Sequence, residues 1–128
     1  MKNENPVVWF EIYVNDLHRA KNFYEHVFQF ELTEMPNSPI EDIQMLVFPS
    51  NMESKNRASG ALVKMEGFKA GENSTIVYFL SEDCSTEEAR VEAAGGKVFK
   101  SKMSLGEYGF MVLAIDTEGN MIGIHSMK

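Results

Sequence analysis

Glu11 and His125 are the two side chains in this 128-residue sequence whose type and setting could handle a proton. Glu11 lies in the run Trp9–Val14, where alternate residues of a strand face opposite sides. Trp9, Glu11 and Tyr13 therefore share one face, and Phe10, Ile12 and Val14 share the other, plainly apolar one. That pattern fits a strand with one face on helices and the other lining a cleft. A carboxylate among aromatics needs partners or it neutralises. Glu11 is then either a ligand-binding or proton-transfer group, or a carboxylate satisfied by nearby hydroxyls or a lysine. His125 shares its face of a short apolar run with Met121 and Gly123. An imidazole there is either a site residue, able to titrate near neutrality, or a hydrogen-bonded histidine at an edge. The expectation is that Glu11 and His125 meet in one cavity, as base and acid or as the polar centre of a binding site.

Tyr78 and Leu80 have the parity to extend the lining begun by Trp9 and Tyr13, although the same four residues also read as core between two halves. Glu107 and Tyr108, beside Gly106 and Gly109, form either a lip or a simple exposed turn. Cys84 is near a helix start and reads as a reactive thiol or a small packed residue. His18 and His26 fall on a polar helix face and read as solvated.

These residues need a scaffold that places them. Asn15-Asp16 breaks the first strand, and Asp16 is a good N-cap. Leu17, Ala20, Phe23, Tyr24, Val27 and Phe28 then recur at helical spacing. Strands follow over about 31–35, 43–48 and 60–65, separated by Pro36-Asn37-Ser38-Pro39 and a polar loop over 50–59. After a glycine-containing linker the plan repeats. A strand over 76–81 leads to Asp83, the counterpart of Asp16, and Ser85 with Glu88 predicts a capping box. A helix over about 86–94 stops at Gly95-Gly96. Strands over 97–101, 110–116 and 121–125 complete the second half. The sequence thus predicts an α+β fold of two tandem β-α-β-β-β modules whose curved mixed sheets surround a cleft. Module one covers about 7–66, the linker about 67–74 and module two about 75–126, as a single domain over 1–128.

The composition is that of an ordinary globular chain, 44% hydrophobic and 24% charged. The net charge of -7 argues against nucleic acid and anionic membranes. No apolar run is long enough to span a bilayer, and MKNENPVV lacks the apolar core of a signal peptide. One cysteine cannot form a disulfide within the chain, which points to a cytoplasmic location.

The segments YVNDLHRAKNFYEHVFQF, ARVEAAGGKV and DTEGNMIGIH, in this order, resemble the vicinal oxygen chelate superfamily: glyoxalase I, bleomycin-resistance proteins, fosfomycin-resistance enzymes and extradiol dioxygenases. The resemblance implies a strand–Asp–Leu–helix opening and a D-x-x-G turn into the last strand. It also places metal ligands, in the enzymes, at positions held here by Trp9, Ile76 and Gly123. Those side chains cannot ligate a divalent cation, so the expected cofactor is none and the expected metal is none. The resemblance further implies a homodimer with clefts near its interface. The expected function is a metal-independent small-molecule-binding protein lined by Trp9, Tyr13, Tyr78, Leu80, Met121 and Gly123. The alternatives are an isomerase or lyase using Glu11 and His125, and a structural or regulatory dimer with no ligand.

Overall fold

The computed structural model describes residues 5, 7–34, 43–51 and 58–128. Within them the chain forms β1 (Trp9–Tyr13), α1 (Leu17–Phe28), β2 (Thr33–Glu34), β3 (Ile43–Val47) and β4 (Ser59–Met65). It then forms β5 (Val77–Leu80), α2 (Cys84–Val91), β6 (Lys97–Ser104), a 3-10 turn (Gly106–Tyr108), β7 (Phe110–Ile115) and β8 (Met121–Ser126). The strands make two four-stranded mixed sheets of matching order, β1-β4-β3-β2 and β5-β8-β7-β6. The first and last strands of each module run parallel and the other pairs antiparallel. This is the repeated β-α-β-β-β plan read from the sequence.

The two modules share one core, because each sheet has an apolar face that cannot be left in water. Ile12, Phe23, Tyr24, Leu46 and Leu62 of the first module pack in one cluster with Val91, Ala114 and Ile122 of the second. Its hub is Phe79 of β5, with ring centroids 4.5 Å from Phe28, 5.5 Å from Phe48, 5.8 Å from Tyr24 and 6.2 Å from Phe10. Phe23 and Tyr24 are fully buried, each burial worth about 1.5–3 kcal/mol. Asp16 caps α1 by accepting the Arg19 N–H at 3.0 Å.

Local differences from the sequence reading have local causes. Among the described residues the second strand is Thr33–Glu34 and does not include Glu31 or Leu32. Helix α2 begins at Cys84, with Asp83 as N-cap in place of a Ser85–Glu88 box. Asp83 Oδ1 takes both the Ser85 N–H and its hydroxyl, and Glu88 accepts the N–H of Lys102 instead, tying α2 to β6. The helix stops at Val91, and a turn ends on Gly95 at φ 98, a left-handed geometry that glycine adopts freely. Strand β6 runs on to Ser104 through two register shifts. The Pro36–Pro39 turn and most of the loop before β4 lie outside the described residues. No helix among the described residues is long and apolar enough to cross a membrane.

Candidate functional site

Trp9, Glu11 and Tyr13 stand on one face of β1, as their alternation requires. Trp9 Nε1 donates to Glu11 Oε2 at 3.3 Å, and the Tyr13 hydroxyl donates to Oε1 at 2.9 Å. Each carboxylate oxygen thus has an aromatic donor, in the hydroxyl-satisfied form of the two readings. The group is exposed rather than desolvated. Burial, then the Glu11 hydrogen bond and charge, raise the Tyr13 pKa, so the phenol keeps its proton and remains a donor. Phe68, in the linker, stacks on Tyr13 with centroids 5.1 Å apart. Nothing in the periodicity marked Phe68, because it lies outside any strand or helix.

A cavity of about 520 Å³ opens beside this strand. Phe10 and Val77 give it apolar surface, the core residues Ile12 and Ile122 lie behind it almost fully buried, and Glu11, Tyr13, Lys69, Asn73, Asn120 and Met121 also line it. That size and mix are typical of small-molecule sites. Lys69, Asn73 and Asn120 were not legible as site residues, since turn and linker side chains carry no periodic signal. A second cavity of about 660 Å³ lies between α1 and the opposite side of the first sheet, among residues including Leu17, His18, Lys21, Leu46 and Lys64.

The corresponding face of the second sheet carries the other expected residues. Tyr78 and Gly123 are register partners, and Leu80 pairs with His125. A Cβ on Gly123 would lie 2.3 Å from the Tyr78 ring, so the ring occupies the space a side chain there would need. Leu80 is 62% exposed and Tyr78 48%. They are not core between the modules in the single chain. His125 Nε2 bonds the Tyr108 carbonyl at 2.7 Å. A carbonyl only accepts, so Nε2 donates and Nδ1 is the free position. Tyr108, in the 3-10 turn, is 70% exposed.

Glu11 and His125 lie on different sheets, each held by its own neighbours, and His125 is not among the residues that line the cavity shared by Glu11 and Met121. Residues of like parity converge only if the two open sheet faces curve over one another, and alternation cannot specify that. Cys84 is buried, and its N–H bonds Ser126 Oγ, which matches the packed reading. His18 and His26 are exposed, as expected.

The superfamily's metal does not fit the residues present. Trp9 is committed to Glu11, Ile76 carries no donor, and the Gly123 position is covered by Tyr78. Among the described residues no three His, Cys, Asp or Glu side chains are grouped to hold a metal.

Sequence periodicity also gave no sign of the junction at the D-x-x-G turn. Glu118 has a side chain with 0% exposure, and its Oε1 accepts the N–H groups of Asn15 and Asp16 at 2.9 and 2.8 Å. Arg19 Nε bonds Oε2 at 2.7 Å, and Arg19 Nη2 bonds Oε1 at 3.0 Å. Burial works to raise the Glu118 pKa, but Arg19 and these N–H donors outweigh it and hold it below the usual range. Asp116 beside it accepts the buried Tyr24 hydroxyl, and burial raises its pKa.

Paired β-α-β-β-β modules with this order define the vicinal oxygen chelate fold, shared by glyoxalases and bleomycin-resistance proteins. A family model described as bleomycin resistance protein-like N-terminal matches residues 7–43, a span that contains β1, α1 and β2. A hypothetical protein from S. aureus superposes at TM-score 0.71 with 14% identity, over 97% of this chain and 95% of that one. TnmS3, an antibiotic binding protein from Streptomyces sp. CB03234, superposes at 0.64 with 21% identity, over 98% of each chain. Glyoxalase I from Zea mays superposes at 0.74 with 18% identity over 95% of this chain, which spans only 46% of the maize enzyme. Comparison with curated proteins finds no significant match.

Proposed function

We propose that this protein binds a small organic molecule without a metal, at the open face of β1 and the cavity beside it. The carrying observation is the preset triad of Trp9, Glu11 and Tyr13. Two aromatic donors hold one carboxylate on an exposed strand face, with an apolar-walled cavity alongside. The antibiotic-binding protein from Streptomyces, which has this fold, supports the reading. So do Trp9, Ile76 and Gly123 at the superfamily's ligand positions. Glu11 favours a cationic or neutral polar group on the part of the ligand that meets it, while Lys69 in the cavity wall can take an anionic one.

An isomerase or lyase reading is weaker. The Glu11 carboxylate is already engaged with Trp9 and Tyr13, and His125 with the Tyr108 carbonyl, so neither side chain is paired with the other. The exposed apolar side chains Trp9, Tyr78 and Leu80 on the open sheet faces support a homodimer that covers them. A buried free thiol, Cys84, is compatible with a cytoplasmic location.

Trp9 is the chain's one tryptophan, so its emission reports the site directly. Native mass spectrometry of the purified protein should reveal a co-purifying molecule, and its titration should change Trp9 emission. A ligand that binds stoichiometrically while Trp9 emission stays constant would place the site elsewhere. Sedimentation at micromolar concentration should give twice the chain mass of 14.5 kDa, and a persistent monomer would overturn the dimer.

A further inference from the structure

The cavity beside β1 is lined by four consecutive residues, Phe10, Glu11, Ile12 and Tyr13. Side chains of both parities can line one cavity when it runs along the edge of a strand rather than over one face. Among the described residues strand β1 is the outer strand of its sheet and pairs only with β4. The Val14 N–H bonds the Val63 carbonyl, which sets the phase of this parallel ladder. Backbone groups of the even-numbered residues therefore point to β4, and those of Glu11 and Tyr13 point outward.

One outward group is already met, and the manner is informative. The Asn120 side chain donates from Nδ2 to the Tyr13 carbonyl at 2.9 Å and accepts the Gly71 N–H on Oδ1 at 2.6 Å. A side-chain amide thus stands where a peptide group would stand, between the β1 edge and the linker. The next outward groups, the N–H and C=O of Glu11, have no partner among the described residues. Lys69, the cation in the cavity wall, forms no ion pair among the described residues.

We propose that this cavity takes an extended peptide or peptide-like amide that adds to the free edge of β1. Its backbone amide pairs with the N–H and C=O of Glu11, next to the place Asn120 fills. Its side chains meet the apolar surface of Phe10 and Val77, and a terminal carboxylate meets Lys69. Edge addition of this kind draws affinity from main-chain hydrogen bonds and selectivity from alternate side-chain pockets. The proposal deepens the small-molecule reading and rests on it.

The test is a titration of the 15N-labelled full chain with acetyl-Leu-Ala-Leu bearing a free carboxylate. The Glu11 amide proton should move downfield and exchange more slowly. Methylating the peptide's central amide nitrogen should weaken binding by about tenfold or more, the loss of roughly one well-placed hydrogen bond. The Lys69→Ala variant should weaken the carboxylate peptide and leave its C-terminal amide counterpart unchanged. An unmoved Glu11 amide, or equal binding by the N-methylated peptide, overturns the proposal. A parallel titration with 2-naphthol, an amide-free aromatic, is read at Trp9. If 2-naphthol binds and the peptide does not pair, only the edge addition fails. If neither probe binds, the ligand-site reading fails with it.

Discussion

The Tyr24 hydroxyl donates to Asp116 Oδ2 at 2.6 Å, joining two residues 92 positions apart across the module boundary. Both are buried. Asp116 Oδ1 in turn accepts the N–H groups of Glu118 and Asn120, each at 2.8 Å, and Asn120 reaches Tyr13. One phenol in α1 is therefore connected, through a turn of the second module, to the edge of the strand that carries the candidate site.

Replacing Tyr24 by Phe keeps the ring and removes the donor. Asp116 is then left short of a partner in a buried place, at a cost of about 1–3 kcal/mol. Urea unfolding followed by circular dichroism measures it. An unchanged midpoint would show that the bond does not join the modules in solution.

Acid should loosen the same junction. The folded Glu118 pKa lies below its ordinary value, so its contribution is present above the unfolded pKa, about 4.3. It is lost as pH falls through the lower, folded value. Asp116, with a raised pKa, acts in the opposite sense, since ionising it in the fold is unfavourable. Thermal melts from pH 7 to pH 3 should show Glu118→Gln less stable than wild type at pH 7, with the gap closing toward pH 3. A gap independent of pH would mean that the carboxylate charge is not what Arg19 and the start of α1 recognise.

Gly123 is expected to be required by Tyr78 rather than by backbone flexibility. Gly123→Ala forces a Cβ into the ring, and such overpacking costs about 1–3 kcal/mol. Adding Tyr78→Ala should recover part of that loss, with a coupling of about 0.5 kcal/mol or more between the two sites. Additive effects would mean the ring moves aside freely.

Glu11→Gln should leave the fold intact, because Glu11 is exposed and its shape is kept. It should lower the raised Tyr13 pKa, since the Glu11 charge is one of its causes after burial. Difference absorbance of phenolate across alkaline pH, wild type against variant, measures this. A Tyr13 titration that does not move would remove Glu11 as its partner. His125→Asn offers the matching check on the second sheet: if it leaves ligand affinity unchanged, His125 has no place in the site.

The linear order of residues determined the fold. Period-two alternation in Trp9–Val14, helical spacing from Leu17 to Phe28 and the second appearance of a strand–Asp–helix unit at Asp83 are local signals. They are local because they reflect backbone geometry and one-sided burial. They also determined that Trp9, Glu11 and Tyr13 share a face; the family resemblance, not periodicity, marked Trp9, Ile76 and Gly123 as positions where ligating side chains are replaced. Tertiary structure alone decided what those faces meet. The Asn120 and Gly71 contact at the β1 edge, the Phe68 ring on Tyr13 and the Glu118 carboxylate at the start of α1 join distant segments through turns and a linker. The His125 bond to the Tyr108 carbonyl is of the same kind. Parity assigns a side to each strand, but only the packing of one sheet against the other fixes where that side points.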